Sequence, residues 1–241
     1  MGVFAGPTNS WINLSPSNSL NGIVTSGLVL ALDAGRTLSY VGSGTTWTDL
    51  SGNGNTGTLT NGPTYSSANG GSIVFTAASS TYVNISGSNA VTQATFSVWL
   101  KRNGSQIDYA GILFNRNINI DVSGLDFNAS NNTLGYHWND DAGSYSFNSG
   151  LTPPNGVWCM CVLTVTSTTA TFYLCQSSGI TTATNTLAHA STTLGALRLG
   201  YDGEGIRFMN GNIAVCKVYN RELSATEVSQ NFNALRGRFG I

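Results

Sequence analysis

Three features of this 241-residue chain predict an all-β fold, a sandwich or a barrel. Only 9% of its residues are charged, against about a quarter in an average domain. Ser, Thr, Asn and 29 Gly take their place, residues that suit pleated strands and tight turns. Short apolar or alternating runs recur along the chain, and one segment alone shows helical spacing. The hydrophobic share, 41%, supplies a sizeable core.

Residues 1–26 are rich in Ser, Asn and Pro yet carry Phe4, Trp11, Ile12, Leu14 and Leu20. Such groups need something to bury them. Two readings stand side by side, an anchoring arm that docks on another subunit and an extra edge strand packed on its own domain. The domain proper is expected over 27–241. Leu28-Val29-Leu30-Ala31-Leu32, ending at Asp33, opens it as a strand. Ser72–Phe75 and Tyr82–Ile85 follow, separated by a polar turn. In 94–100, Phe96, Val98 and Leu100 alternate onto one face. Further strands are expected at 111–115, 117–122, 133–138 and 143–147. Segments 157–166 and 169–176 read as a hairpin turning at Ser167-Thr168, and 196–200 and 212–219 close the series. Ser224-Ala225-Thr226-Glu227 has the form of a capping box. Val228, Phe232 and Leu235 then form one apolar stripe, with Gly237 as the stop.

The net charge is -1, from ten Lys/Arg and eleven Asp/Glu. That balance argues against nucleic acid, which needs a basic stripe, and leaves nothing polybasic for an anionic membrane. The N-terminus has neither a basic n-region nor a secretory apolar run, so the expectation is synthesis in a cytoplasm without the usual export. Cys159, Cys161, Cys175 and Cys216 lie in apolar segments and read as buried free thiols. Neither His137 nor His189 has zinc-ligand spacing.

Two stretches carry a family signature. Gly27–Gly35 followed by Trp47-Thr48-Asp49-Leu50-Ser51-Gly52-Asn53-Gly54-Asn55-Thr56-Gly57 resembles the opening of concanavalin A-like (laminin G-like) jelly-roll domains. The stretch 211–224 resembles that family's last strand and terminal helix, and 95–100 and 158–174 match its central strands in spacing. The resemblance covers about 27–236 and implies a two-sheet antiparallel jelly-roll sandwich with one short C-terminal helix. A short unexported N-terminal segment before this domain also resembles bacteriophage virion proteins, where such domains serve as head decorations, fibres or tail-surface modules.

The fold hosts lectins, glucanases and inert scaffolds, so activity has to be read from the residues. Glucanases of this fold carry a Glu-x-Asp-x-x-Glu strand with two carboxylates on one face. Here only Glu204, Glu222 and Glu227 exist. Glu227 belongs to the capping box, and Glu204 sits in a turn with no second acid in register; no catalytic residue is assigned. Asp140-Asp141 reads as a solvated loop pair. Relatives often hold calcium through the first strand and the Ser-Gly-Asn-Gly-Asn loop. Asp33 and Asn53–Asn55 fit that role, but Ala214 replaces an acid, and 75–83 lacks the usual Asp residues. Two readings remain for Asp33, a weak structural calcium and satisfaction by backbone amides of a neighbouring turn; the second is the expectation, with no metal or cofactor held.

For sugar, the best cluster is Tyr136, Trp138, Asn139, Asp140 and Tyr145, with Tyr136 and Trp138 sharing a strand face on which a pyranose could stack. The other reading puts Trp138 in the core. The function expected first is a non-enzymatic decoration protein on a phage virion. In it Phe4, Trp11, Ile12 and Leu14 of the arm dock on capsid or tail protein, and a symmetric arm would suit a homo-oligomer. The alternative is a lectin-like adhesion module that attaches the particle to host glycans.

Overall fold

The computed structural model describes residues 22–241 apart from 88, 118, 119, 130, 131 and 196. Its strands are, in chain order, β1 (Leu28–Asp33), β2 (Thr46–Trp47), β3 (Gly57–Thr60), β4 (Thr64–Ser66), β5 (Ser72–Phe75), β6 (Tyr82–Ile85), β7 (Asn89–Val91), β8 (Ala94–Arg102) and β9 (Gly111–Asn117). There follow β10 (Ile120–Phe127), β11 (Leu134–His137), the short helix α1 (Ala142–Tyr145), β12 (Trp158–Val165), β13 (Ala170–Gln176), β14 (Gly179–Asn185), β15 (Thr192–Leu194), β16 (Leu197–Leu199), β17 (Gly211–Tyr219) and the helix α2 (Ala225–Leu235).

Among the described residues these strands form a two-sheet antiparallel sandwich of jelly-roll type. One eight-stranded sheet runs β14-β13-β12-β8-β17-β5-β4, with β1 paired to β17 beside β5. The opposing seven-stranded sheet runs β11-β10-β9-β16-β6-β3-β2, and β15 pairs with β7 apart from both. The expected hairpin is β12 with β13, in register from Met160↔Cys175 to Val165↔Ala170.

Period-two alternation builds the core. Phe96, Val98 and Leu100 of β8, with Leu163 and Phe172, face Val83, Leu113, Leu125 and Tyr136 of the other sheet. The opposite parity of β8 puts Trp99 on the outer face, where it stacks on Phe239 at 4.3 Å and Phe232 at 5.5 Å. The α2 stripe thus covers one face of the eight-stranded sheet, with Val228 and Phe232 buried there. The capping box is present: Ser224 N donates to Glu227 Oε2 at 2.9 Å and Glu227 N to Ser224 Oγ at 3.3 Å. The bond from Arg221, then that from Ser224, holds Glu227 down at about 2. Gly237 does not end the helix. The chain tightens into a 3₁₀ turn over Arg236–Phe239 and reverses at Gly240.

Segment 143–147, expected as a strand, begins instead as α1. Asp141 caps that turn by accepting from Gly143 N at 2.7 Å, and Asp is a strong N-cap. All four cysteines are free and buried, with the Cys159 and Cys161 sulfurs 3.8 Å apart on one face of β12. Phe4, Trp11, Ile12 and Leu14 lie outside the described residues. Of the arm, residues 22–26 are described, and Ile23 and Val24 are buried against the domain. No helix among the described residues is long and apolar enough to cross a membrane.

Candidate functional site

On the outer face of the seven-stranded sheet, Phe114, Gly124 and His137 stand abreast on β9, β10 and β11. Gly124 has no side chain, so the flanking rings close over it edge to face, with centroids 5.1 Å apart. Two residues further along, Asp126 lies between Gly111 and Gly135. A Cβ on Gly135 would come within 2.6 Å of Asp126 Oδ1, so glycine there makes room for the carboxylate. Asp126 is buried and its Oδ2 meets His137 Nδ1 at 2.8 Å, while Oδ1 has no hydrogen-bond partner among the described residues. Burial pushes the Asp126 carboxyl up, and His137 offsets part of that rise. With Nδ1 turned to the carboxylate, Nε2 is the polar atom His137 has left to offer.

Two tyrosines wall the histidine. Tyr145, carried by α1, stacks on it at 5.3 Å, and Tyr109 meets it edge-on at 5.5 Å. Tyr109 has φ 60°, a left-handed conformation that costs a non-glycine residue free energy. Burial, then the nearby Asp126, raises its phenol, which stays a hydrogen-bond donor. Among the described residues neither tyrosine hydroxyl has a hydrogen-bond partner, and the guanidinium of Arg207 lies 5.0 Å from the Tyr109 ring centre.

The loop after β16 completes the wall. Asp202 is wholly buried; its Oδ1 accepts from Glu204 N at 2.7 Å, and its Oδ2 from Arg207 at 3.0 Å and Arg116 at 3.1 Å. Glu204 accepts from the same two guanidiniums, at 2.9 Å and 3.1 Å. The result is an open cavity of about 310 Å³ lined by Tyr109, Arg116, His137, Asp140, Tyr145, Glu204 and Arg207.

Of the residues singled out for sugar, Asp140 and Tyr145 reach this cavity and the other three do not. Tyr136 and Trp138 do share a face, but it is the core face, and both are buried. Tyr136 Oη is engaged by His189 Nε2 and Asn185 Nδ2, each at 3.0 Å, and Trp138 Nε1 donates to Ala190 O at 2.7 Å. Neither ring offers a stacking surface: the stacking expected of Tyr136 and Trp138 fails, and Trp138 lies in the core as the other reading had it. The Asn139 amide is spent on Ser191 O at 3.0 Å. His137, with the opposite parity, is the residue that faces outward.

Calcium does not fit at Asp33. Its Oδ1 accepts from Gly35 N at 2.9 Å and from Arg238 Nη1 at 2.6 Å, so a guanidinium already neutralises it. In the neighbouring loop the buried Asp49 is the organising residue. It accepts from Ala31 N at 2.8 Å, Ser51 N at 2.9 Å and Asn55 N at 3.0 Å. Asn53 and Asn55 turn their amides to the β1 carbonyls of Leu28 and Val29. No three His, Cys, Asp or Glu side chains among the described residues gather in a metal-binding group.

The chain is similar in structure to domain 4 of AbnA, an extracellular arabinanase from Geobacillus stearothermophilus, solved in complex with arabinotriose. The TM-score is 0.66 at 16% identity, over 87% of this chain and 98% of that one. It is similar to the binding domain of Paraclostridial Mosquitocidal Protein 1, with TM-score 0.61 and 13% identity, over 86% of this chain and 52% of that one. It is also similar to Trypanosoma rangeli sialidase, with TM-score 0.61 and 14% identity, and here 88% of this chain spans a third (33%) of that one. At such identities the likeness is one of fold. A search of curated protein sequences found no match. A family model described as "Concanavalin A-like lectin/glucanases superfamily" matches residues 75–229, a span that holds every residue of the cavity. On this match, and on the sandwich that carries it, the chain belongs to the concanavalin A-like lectin/glucanase superfamily.

Proposed function

We propose that this chain is a non-catalytic carbohydrate-binding module and that its ligand enters the cavity over His137. The observation that carries the reading is the pair Tyr109 and Tyr145. They are half-buried rings fixed against a histidine that a buried carboxylate holds in place, and their hydroxyls are unspent. Sugar binding asks for this mixture of aromatic surface and prepositioned polar atoms. The complex of the similar arabinanase domain with arabinotriose supports the choice of ligand class. The pairing of Glu204 favours binding over hydrolysis. Glu204 is tied to two guanidiniums, whereas a glycosidase acid must be free to give up a proton.

A glycan array read with the full chain tests this, followed by calorimetry on the best ligand. Tyr145→Ala should weaken binding at least tenfold without unfolding the protein. Absence of selective glycan binding would defeat the proposal, and release of reducing ends from a bound oligosaccharide would defeat its non-catalytic part.

We further propose that the module is displayed on a phage virion, the arm of residues 1–26 reaching capsid or tail protein through the residues before 22. The low charge and the apolar groups of that arm support this placement. Because residues 22–26 pack on the domain, the deletion that tests it removes 1–21. Loss of the protein from purified particles is expected, and normal incorporation would overturn the idea.

A further inference from the structure

Arg116 and Arg207 give the cavity the outward look of a receptor for an acidic sugar. Their partners argue otherwise. Each guanidinium bonds both Asp202 and Glu204, with all four N–O distances between 2.9 and 3.1 Å. Two positive and two negative groups thus close on one another. Asp202 is fully buried and also held by a backbone amide at 2.7 Å, so it cannot turn away. Asp140 stands on the same wall and, among the described residues, is paired to no arginine. An incoming carboxylate or sulfate would have to displace Glu204 from both guanidiniums and then lie among the remaining acids. Like charges brought together at such a site cost several kcal/mol.

A sugar hydroxyl meets no such conflict, because it both donates and accepts. It can donate to Glu204, Asp140 or His137 Nε2 and accept from the two phenols. The volume, about 310 Å³, lies at the small end for ligand pockets, room for one or two sugar rings.

We propose that the cavity selects saccharides that carry no acidic group. This rests on the glycan-binding reading above and adds the ligand's charge class to it. The arginines serve as walls prepared by Asp202 and Glu204, and the ring of charges is the device that rejects anionic sugars.

The test pairs neutral arabino-, xylo-, gluco- and galacto-oligosaccharides with counterparts bearing a uronic acid, a sialic acid or a sulfate. Binding is measured at pH 7 with the full chain and with Glu204→Gln. Glu204 is 54% exposed, so the variant should fold normally. The wild type should bind the neutral member of a pair at least tenfold more tightly, and in Glu204→Gln the acidic member should gain about tenfold on it. Preference of the wild type for acidic members would overturn this inference and leave the glycan reading standing. An unchanged preference in Glu204→Gln would overturn the charge ring as its cause. Binding of no glycan by the wild type would remove both.

Discussion

Lys217 is 2% exposed, on the outer face of the eight-stranded sheet opposite Ala31 and Ser97, and its ammonium has no hydrogen-bond partner among the described residues. Burial pulls its pKa down to about 8, against a partial rescue by Asp33. The unfolded chain therefore binds more protons than the folded one between about 8 and 10.5, and stability from this residue rises with pH across that window. Lys217→Met removes a charge that is costly only while it exists. The variant should be the more stable protein below pH 8, and its advantage should shrink by ~3 kcal/mol toward pH 10.5. Denaturant titrations of both proteins at several pH values read this difference directly; a gap that stays flat would refute it. Gly135 is a second residue whose role is steric. In Gly135→Ala the new Cβ would lie 2.6 Å from Asp126 Oδ1 and 3.0 Å from the Asn128 backbone, at a cost of about 1–3 kcal/mol. A melting temperature equal to the wild type would show that Asp126 moves aside freely. At this scale the site was only half legible. A period of two puts Tyr136 and Trp138 on one face, but does not say whether that face meets the core or the solvent, and it met the core. Arg116 and Asp202 are 86 residues apart, and no local pattern announces such a pair.

Secondary-structure elements were legible where their own residues decide them. The capping box needs only Ser224 and Glu227, and Ser224→Ala should cost about 0.5–2 kcal/mol in thermal or denaturant unfolding. A cost indistinguishable from zero would mean that packing against Trp99 alone holds α2. The long alternating strands β8, β12, β13 and β17 are likewise visible in the sequence, since apolar residues recur along both faces. Several of the unread strands, which also include β3, β7 and β15, are of another kind. β2 and β4 have two and three residues, and β14, Gly-Ile-Thr-Thr-Ala-Thr-Asn, lies at the sheet edge with no buried residue to set a period. Their strand state comes from the neighbour they pair with, a tertiary effect that overrides weak local preference. α1 was misread for the converse reason. One capping side chain, Asp141, outweighs the β-compatible composition of Gly-Ser-Tyr-Ser-Phe. Because that cap carries Tyr145 over His137, Asp141→Ala should lower glycan affinity severalfold while shifting the melting temperature little. Calorimetry beside a thermal melt separates the two effects, and an unchanged affinity would show that Tyr145 is placed by its stacking alone.

At the scale of the whole molecule, the two ends of the described chain meet. β17, near the C-terminus, pairs with β8 on one side and with β5 and then β1 on the other, and α2 returns over the same sheet. Residues 22–26 close this joint. Val24 N donates to Asn231 Oδ1 at 2.9 Å, Tyr219 Oη donates to Val24 O at 3.0 Å, and Asn231 Nδ2 donates to Tyr219 Oη at 3.0 Å. Asn231 and Tyr219 are almost fully buried, so losing Val24 would leave polar groups unsatisfied away from water. A chain beginning at residue 27 loses the burial of Ile23 and Val24 as well. Two apolar side chains at about 1.5–3 kcal/mol each, with the orphaned polar groups, come to on the order of 5 kcal/mol. For a domain of this size that corresponds to a melting temperature lower by about 10–20 °C. A chain beginning at residue 22 keeps the joint, so the difference between the two truncations isolates it from anything residues 1–21 do elsewhere. Equal melting temperatures for the two would place the domain boundary at residue 27 and reduce the 22–26 segment to a passenger. A clear gap would make it a structural part of the sandwich, one that joins α2 to β17 and leaves only the residues before it available to a partner.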